Sequence, residues 1–144
     1  MAARRVRALG IDSSPEAVEL ARRRGAVVLQ RDLFCALPGE GRWATVLLFD
    51  GNVGIGGDPV RLLARCRRLI ARRGRVVVEV GPPGTGWSRR SAHLEHDGRR
   101  SPRFAWAVVG ADAIAGLAGD AGLRVATMAD TRSGRWFAHL ERGH

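Results

Sequence analysis

The sequence contains no lysine: all 24 of its basic side chains are arginine, set against 14 acidic ones. That absence excludes a Walker-type phosphate loop, which ends in Gly-Lys-Ser/Thr so that the ammonium can reach the phosphates. Cysteine is scarce as well. Cys35 and Cys66 are too few for a disulfide framework and lack the spacing of a metal clip. Both read as small buried side chains in a reducing cytoplasm. No apolar run approaches the roughly 18 residues that cross a bilayer. The basic start MAARRVRALGID also lacks the apolar core of a secretory signal. A soluble, cytoplasmic protein that makes no use of a membrane is expected.

The net charge of +10 invites a nucleic-acid reading, because clustered cations bind phosphate and release counterions. The arginines, however, spread over two helices, several turns and both termini instead of forming one stripe. In a chain also heavy in Ala and Gly, this points to codon usage, and nucleic acid is not expected as a partner. The 144 residues, 45% of them hydrophobic, suit one ordinary domain covering 1–144.

The pattern along the chain alternates. VRALGID is a short apolar run ending in Asp12, and SSPEAVELARRRG follows with a helix-start signal: Ser14 as N-cap, Pro15 at the first helical position, Glu16 in the first turn. Ala17, Leu20 and Ala21 fall on one face, and Gly25 stops the helix. AVVLQRD and RWATVLLFD read as strands ending in Asp32 and Asp50, the latter apolar enough for burial on both faces. DPVRLLARCRRLIARRG reads as a helix from the Asp58 cap to Gly74. Leu62, Leu63, Cys66, Leu69 and Ile70 make its apolar face, with arginines opposite. RVVVEVG is a fourth strand. A polar, Gly- and Pro-rich stretch, Pro82 to Trp106, is too long for an idle connection and reads as a lid or binding segment with room for a short β-ribbon. A helix and two strands turning around Ser133-Gly134 close the chain. The expected class is α/β, with an antiparallel hairpin at the end of a mostly parallel sheet.

The turn FDGNVGIGGDP carries four glycines between strand and helix. It fails as a dinucleotide fingerprint because Pro59 stands where the third glycine of G-x-G-x-x-G belongs. The strand-end acids suggest another ligand. Loops at the carboxyl ends of parallel strands form the ligand crevice, so Asp12, Asp32 and Asp50 are expected on one rim. Such a rim repels a diphosphate but accepts hydrogen bonds from the vicinal hydroxyls of a ribose.

ALGIDSSPEAVELARRRGAVVLQRDLF, followed by LLFDGNVGIGGDPVRLLARCRRLIARRGRVVVEV, resembles the second to fifth strands of a class I S-adenosylmethionine-dependent methyltransferase, and the closing helix and hairpin resemble that fold's end. The resemblance implies a Rossmann-like sheet of order 3-2-1-4-5-7-6 and S-adenosyl-L-methionine as cofactor. It implies that Asp12 binds the ribose hydroxyls with Ser13 beside the adenine. Asp32 accepts from the adenine amino group, with the Leu33 backbone near the ring, and Asp50, Gly51 and Asn52 line the floor under the methionine part. Too few residues precede Ala8 for the family's first strand and its G-x-G-x-G loop, so an N-terminally incomplete domain is expected. DGN also departs from the Asn/Asp-Pro-Pro-aromatic motif of members that methylate nucleobase amines.

The implied activity is methyl transfer to a small molecule. Two alternatives stay open: a non-catalytic truncated remnant or interaction module, and another nucleotide-binding α/β enzyme such as an NAD-dependent oxidoreductase. No catalytic base is assigned. His93, Glu95 and His96 are candidates only through their place in the long segment. HLEHD is read as a solvated loop and not as a metal site. The four tryptophans are read as core or segment anchors, with Trp87 and Trp106 able to cover a small substrate.

Overall fold

The computed structural model describes residues 6–144. The chain forms two compact units, one ending at Pro38 and the other running Gly39–His144. The first holds β1 (Gly10–Asp12), α1 (Pro15–Arg23) and β2 (Val28–Gln30). β1 and β2 pair in parallel, Gly10 opposite Val28 and Asp12 opposite Gln30. The helix starts where its caps dictate: the Ser14 hydroxyl accepts the Ala17 N–H at 3.2 Å with Pro15 behind it, and Gly25 follows the helix at φ 82°. Val18 is the buried residue of α1, whereas Leu20 is 51% exposed. The apolar stripe therefore centres one position away from the expected Ala17, Leu20 and Ala21.

The second unit is built on a four-stranded sheet of order β3-β4-β10-β9, with β3 (Trp43–Leu48), β4 (Ile70–Val80), β9 (Leu123–Asp130) and β10 (Trp136–Arg142). β3 and β4 are parallel, and β10 runs antiparallel between β4 and β9, so three of the four strands point the same way. α2 (Pro59–Leu69) and α3 (Ile114–Asp120) pack against each other, α2 also touching β4 and α3 touching β9. Leu62, Leu63, Cys66 and Ile114 are buried with Val76, Val78, Ala138 and Leu140 of the central strands. Burial pushes the Cys66 thiol up to about 12, so it stays a neutral apolar filler. Cys35, expected to be buried, is exposed, in a turn whose Cys35 N–H donates to the Asp32 carbonyl.

α2 departs from its sequence reading at its end. It stops at Leu69, and Ile70 to Gly74 already belong to β4, where Trp43 faces Ile70 and Thr45 faces Arg75 across a register shift. The Arg142 guanidinium, arriving from β10, donates to the Arg67 and Ile70 carbonyls at 2.8 and 2.9 Å. It thereby satisfies acceptors that another helical turn would otherwise have used. Arg65, expected on the solvated face, is buried and paired with Glu40 at 2.6 Å. β3 lies at the sheet edge with one face uncovered, and Leu47 is 58% exposed instead of buried.

The long polar segment is mostly a ribbon. β5 (Trp87–Ala92) and β8 (Phe104–Val109) are antiparallel, with a small hairpin of β6 (Glu95–His96) and β7 (Arg99–Arg100) between them. Among the described residues no helix is long and apolar enough to cross a membrane.

Candidate functional site

In the first unit Asp12 and Asp32 stand at or just beyond the carboxyl ends of two adjacent parallel strands. Each accepts the N–H two residues on with one carboxylate oxygen: Asp12 Oδ1 from Ser14 and Asp32 Oδ1 from Phe34, both at 2.8 Å. These Asx turns hold the side chains in place and leave both residues exposed. Ser13 is exposed beside Asp12, and Leu33 is half-buried beside Asp32.

In the second unit Asp50, Gly51 and Asn52 follow β3. Asp50 has φ 53° and Gly51 φ 78°, and the Asn52 N–H donates to the Phe49 carbonyl at 3.0 Å. Positive φ at both central residues marks a primed turn, for which Asp-Gly is a favoured dipeptide. Among the described residues, a Cβ built on Gly51 would meet nothing within 4 Å.

The other glycines of this turn do something different. A Cβ on Gly54 would collide with the Ala107 carbonyl oxygen and the Trp106 indole, and one on Gly57 would come within 2.8 Å of the Ala105 methyl. Ile55 also bridges to Trp106. Gly54 and Gly57 make room for β8. The ribbon strand is thus seated on the turn, with Ala107 and Val109 almost fully buried.

Glu79, near the end of β4, and Arg135, just before β10, were not singled out from the sequence. Arg135 Nε donates to Glu79 Oε1 at 2.8 Å and Nη2 to Oε2 at 2.6 Å, a bidentate pair. Glu79 Oε2 also accepts the Asp50 N–H at 2.8 Å, and Arg135 Nη2 reaches Asp50 Oδ1 at 3.2 Å. Arg135 lies 5.3 Å over the Phe137 ring, which Phe49 meets edge-on at 5.4 Å. The hydrogen bonds from Arg135 and from the Asp50 N–H hold the Glu79 carboxyl at about 2, so at neutral pH it is a poor proton acceptor. The one available signal for Glu79 was a charged residue inside VVVEV, an otherwise apolar run.

Gly51, Val53, Glu79, Gly81, Trp106 and Ala107 help line a cavity of about 260 Å³ in the second unit. Most of its wall is apolar. His93, Glu95 and His96 do not line it. They follow β8's partner strand past Arg90, which faces Trp106, and so lie on the order of 10 Å or more farther along the ribbon at ~3.3 Å per residue.

No family model matches the sequence, and no curated protein matches it. Solved structures match in fold. The CcbJ methyltransferase from Streptomyces caelestis gives a TM-score of 0.67 at 16% identity, over 94% of this chain and 74% of that one. A SAM-dependent methyltransferase from Bacteroides fragilis, in complex with S-adenosyl-L-homocysteine, gives 0.73 at 18% identity, over 93% of this chain and 62% of that one. The glycopeptide N-methyltransferase MtfA complexed with (S)-adenosyl-L-methionine gives 0.67 at 13% identity, over 93% of this chain and 76% of that one. With its acid-ended parallel strands, capped helices and inserted antiparallel strand, the chain has the fold of the class I S-adenosylmethionine-dependent methyltransferases.

Proposed function

We propose that this chain binds S-adenosyl-L-methionine and transfers its methyl group to a small molecule, within a single domain. The observation that carries the reading is the pair of exposed strand-end carboxylates, Asp12 and Asp32, in a chain of this fold. Their local amide bonds orient each side chain and engage only one oxygen, which fits a ligand offering hydroxyl and amino donors. Asp12 takes the ribose hydroxyls with Ser13 beside the adenine, and Asp32 takes the adenine amino group with Leu33 at the ring. Asp50, Gly51 and Asn52 support the methionine part, and the open space beside Gly51 fits that task.

When bound, the cofactor supplies an electrophilic methyl on a sulfonium. The chain's own part is positioning and the exclusion of water. The largely apolar cavity walled by Val53, Trp106 and Ala107 suits an acceptor that sheds its hydration. Glu79, held ionised by Arg135, does not serve as the base. The acceptor class draws support from the neighbours, which include a glycopeptide N-methyltransferase and a 1,6-didemethyltoxoflavin-N1-methyltransferase.

Calorimetric titration with S-adenosylhomocysteine tests the reading. Binding at about micromolar strength, near −8 kcal/mol, is expected. Absence of heat and of any thermal shift at saturating ligand overturns it.

A further inference from the structure

Two Asp-Gly turns in this chain share one backbone conformation, with φ 53° and 78° at Asp50-Gly51 and 49° and 73° at Asp97-Gly98. The second closes the β6–β7 hairpin, where such a turn forms from its own sequence preference. The first joins a strand to a short 3-10 turn, and of the two it alone, among the described residues, is held from a distance. Its amide is taken by Glu79, 29 positions away, and its carboxylate by Arg135, 85 positions away. A turn that Asp-Gly already favours does not need a clamp in order to form. The clamp fixes where the turn sits relative to the ends of β4 and β10, and the edge-on contact of Phe49 with Phe137, whose ring Arg135 covers, braces the residue just before it.

We infer that Arg135 and Glu79 are positioning residues for the methionine end of the cofactor, acting through the Asp50–Gly51 turn. The inference rests on the proposed cofactor reading and goes beyond it. Neither side chain need touch the ligand. They set the height of the turn, and with it the space beside Gly51 in which the methionine part is placed.

The test compares S-adenosylhomocysteine with adenosine, which lacks the methionine part, on wild type, Arg135→Ala, Arg135→Lys, Glu79→Gln and Arg124→Ala. Arg124 pairs with Glu141 at 2.8 Å on the same hairpin and serves as the control for losing a surface ion pair. Arg135→Ala and Glu79→Gln should each weaken S-adenosylhomocysteine binding by about tenfold, the scale of one charged hydrogen bond. Adenosine binding should be unchanged, since a general loss of structure would weaken both ligands. Arg135→Lys should recover only part of the loss, because lysine keeps the charge without the fork. If Arg135→Ala does not fold, Arg135→Lys and Glu79→Gln decide the matter by the same split. Equal losses for both ligands, full affinity in the variants, or an equal loss in Arg124→Ala overturn the inference alone. A wild type that binds neither ligand overturns the functional reading and the inference with it.

Discussion

Arg135 and Glu79 lie 56 positions apart in sequence and meet through two hydrogen bonds of 2.8 and 2.6 Å at the carboxyl end of β4. The pair ties the turn of the closing hairpin to the loop after β3, because Glu79 also holds the Asp50 amide. One ion pair thus connects three segments of the second unit.

The pair makes the stability of this unit pH-dependent in a defined direction. Glu79 titrates at about 2 in the folded protein, against an ordinary 4.5. A depressed carboxylate contributes stability that is present above its unfolded value and lost as pH falls toward the folded one. The unfolding midpoint in urea should therefore drop between pH 5 and pH 2. Glu79→Gln should lower the midpoint at pH 6 and flatten that acid limb. An acid limb identical to wild type would mean that Glu79 gains nothing from Arg135.

Asp12→Ala should weaken S-adenosylhomocysteine binding by roughly 1.5–3 kcal/mol, the scale of charge-assisted hydrogen bonds left unmade. Isothermal titration gives the number directly. Unchanged affinity removes Asp12 from the site.

Gly54→Ala should destabilise the protein by about 1–3 kcal/mol, the usual cost of overpacking, since the new methyl has the Trp106 ring carbon Cδ1 within 2.7 Å. Gly116 offers the contrast: it lies in α3 with nothing among the described residues within 4 Å of an added Cβ. Gly116→Ala should stabilise by about 0.5–1 kcal/mol through helix propensity. Thermal melts of the two variants should move in opposite directions. A Gly54→Ala melt at or above wild type would contradict the seating of β8 on the turn.

Arg142→Met keeps most of the side-chain stem and removes the guanidinium that serves the Arg67 and Ile70 carbonyls. A loss of about 2–3 kcal/mol in urea unfolding is expected for charged hydrogen bonds to part-buried acceptors. A loss under about 0.5 kcal/mol, the range of ordinary surface changes, would show that water replaces the arginine.

What the sequence determined by itself was written in short-range signals. Ser14-Pro15 and Asp58-Pro59 start α1 and α2 because a side-chain oxygen and a proline need only the next three residues to act. Gly134, at φ 78°, turns the closing hairpin within its own neighbourhood. Asp12 and Asp32 were legible as strand-end acids because the alternation of apolar runs and helix caps locates strand ends.

Tertiary structure decided what depends on distant partners. α2 ends at Leu69 and not at Gly74 because Arg142, 72 positions from Ile70, meets its last turn. Leu47 is exposed because its face of β3 is left uncovered in the second unit, and which face a neighbour covers is not encoded in the strand's own apolarity. Gly54 and Gly57 serve β8, which reaches them only after the ribbon has folded back. The Arg135–Glu79–Asp50 cluster lies beyond any spacing rule, since hydrogen bonds between segments so far apart exist only once the sheet has set the order β3-β4-β10.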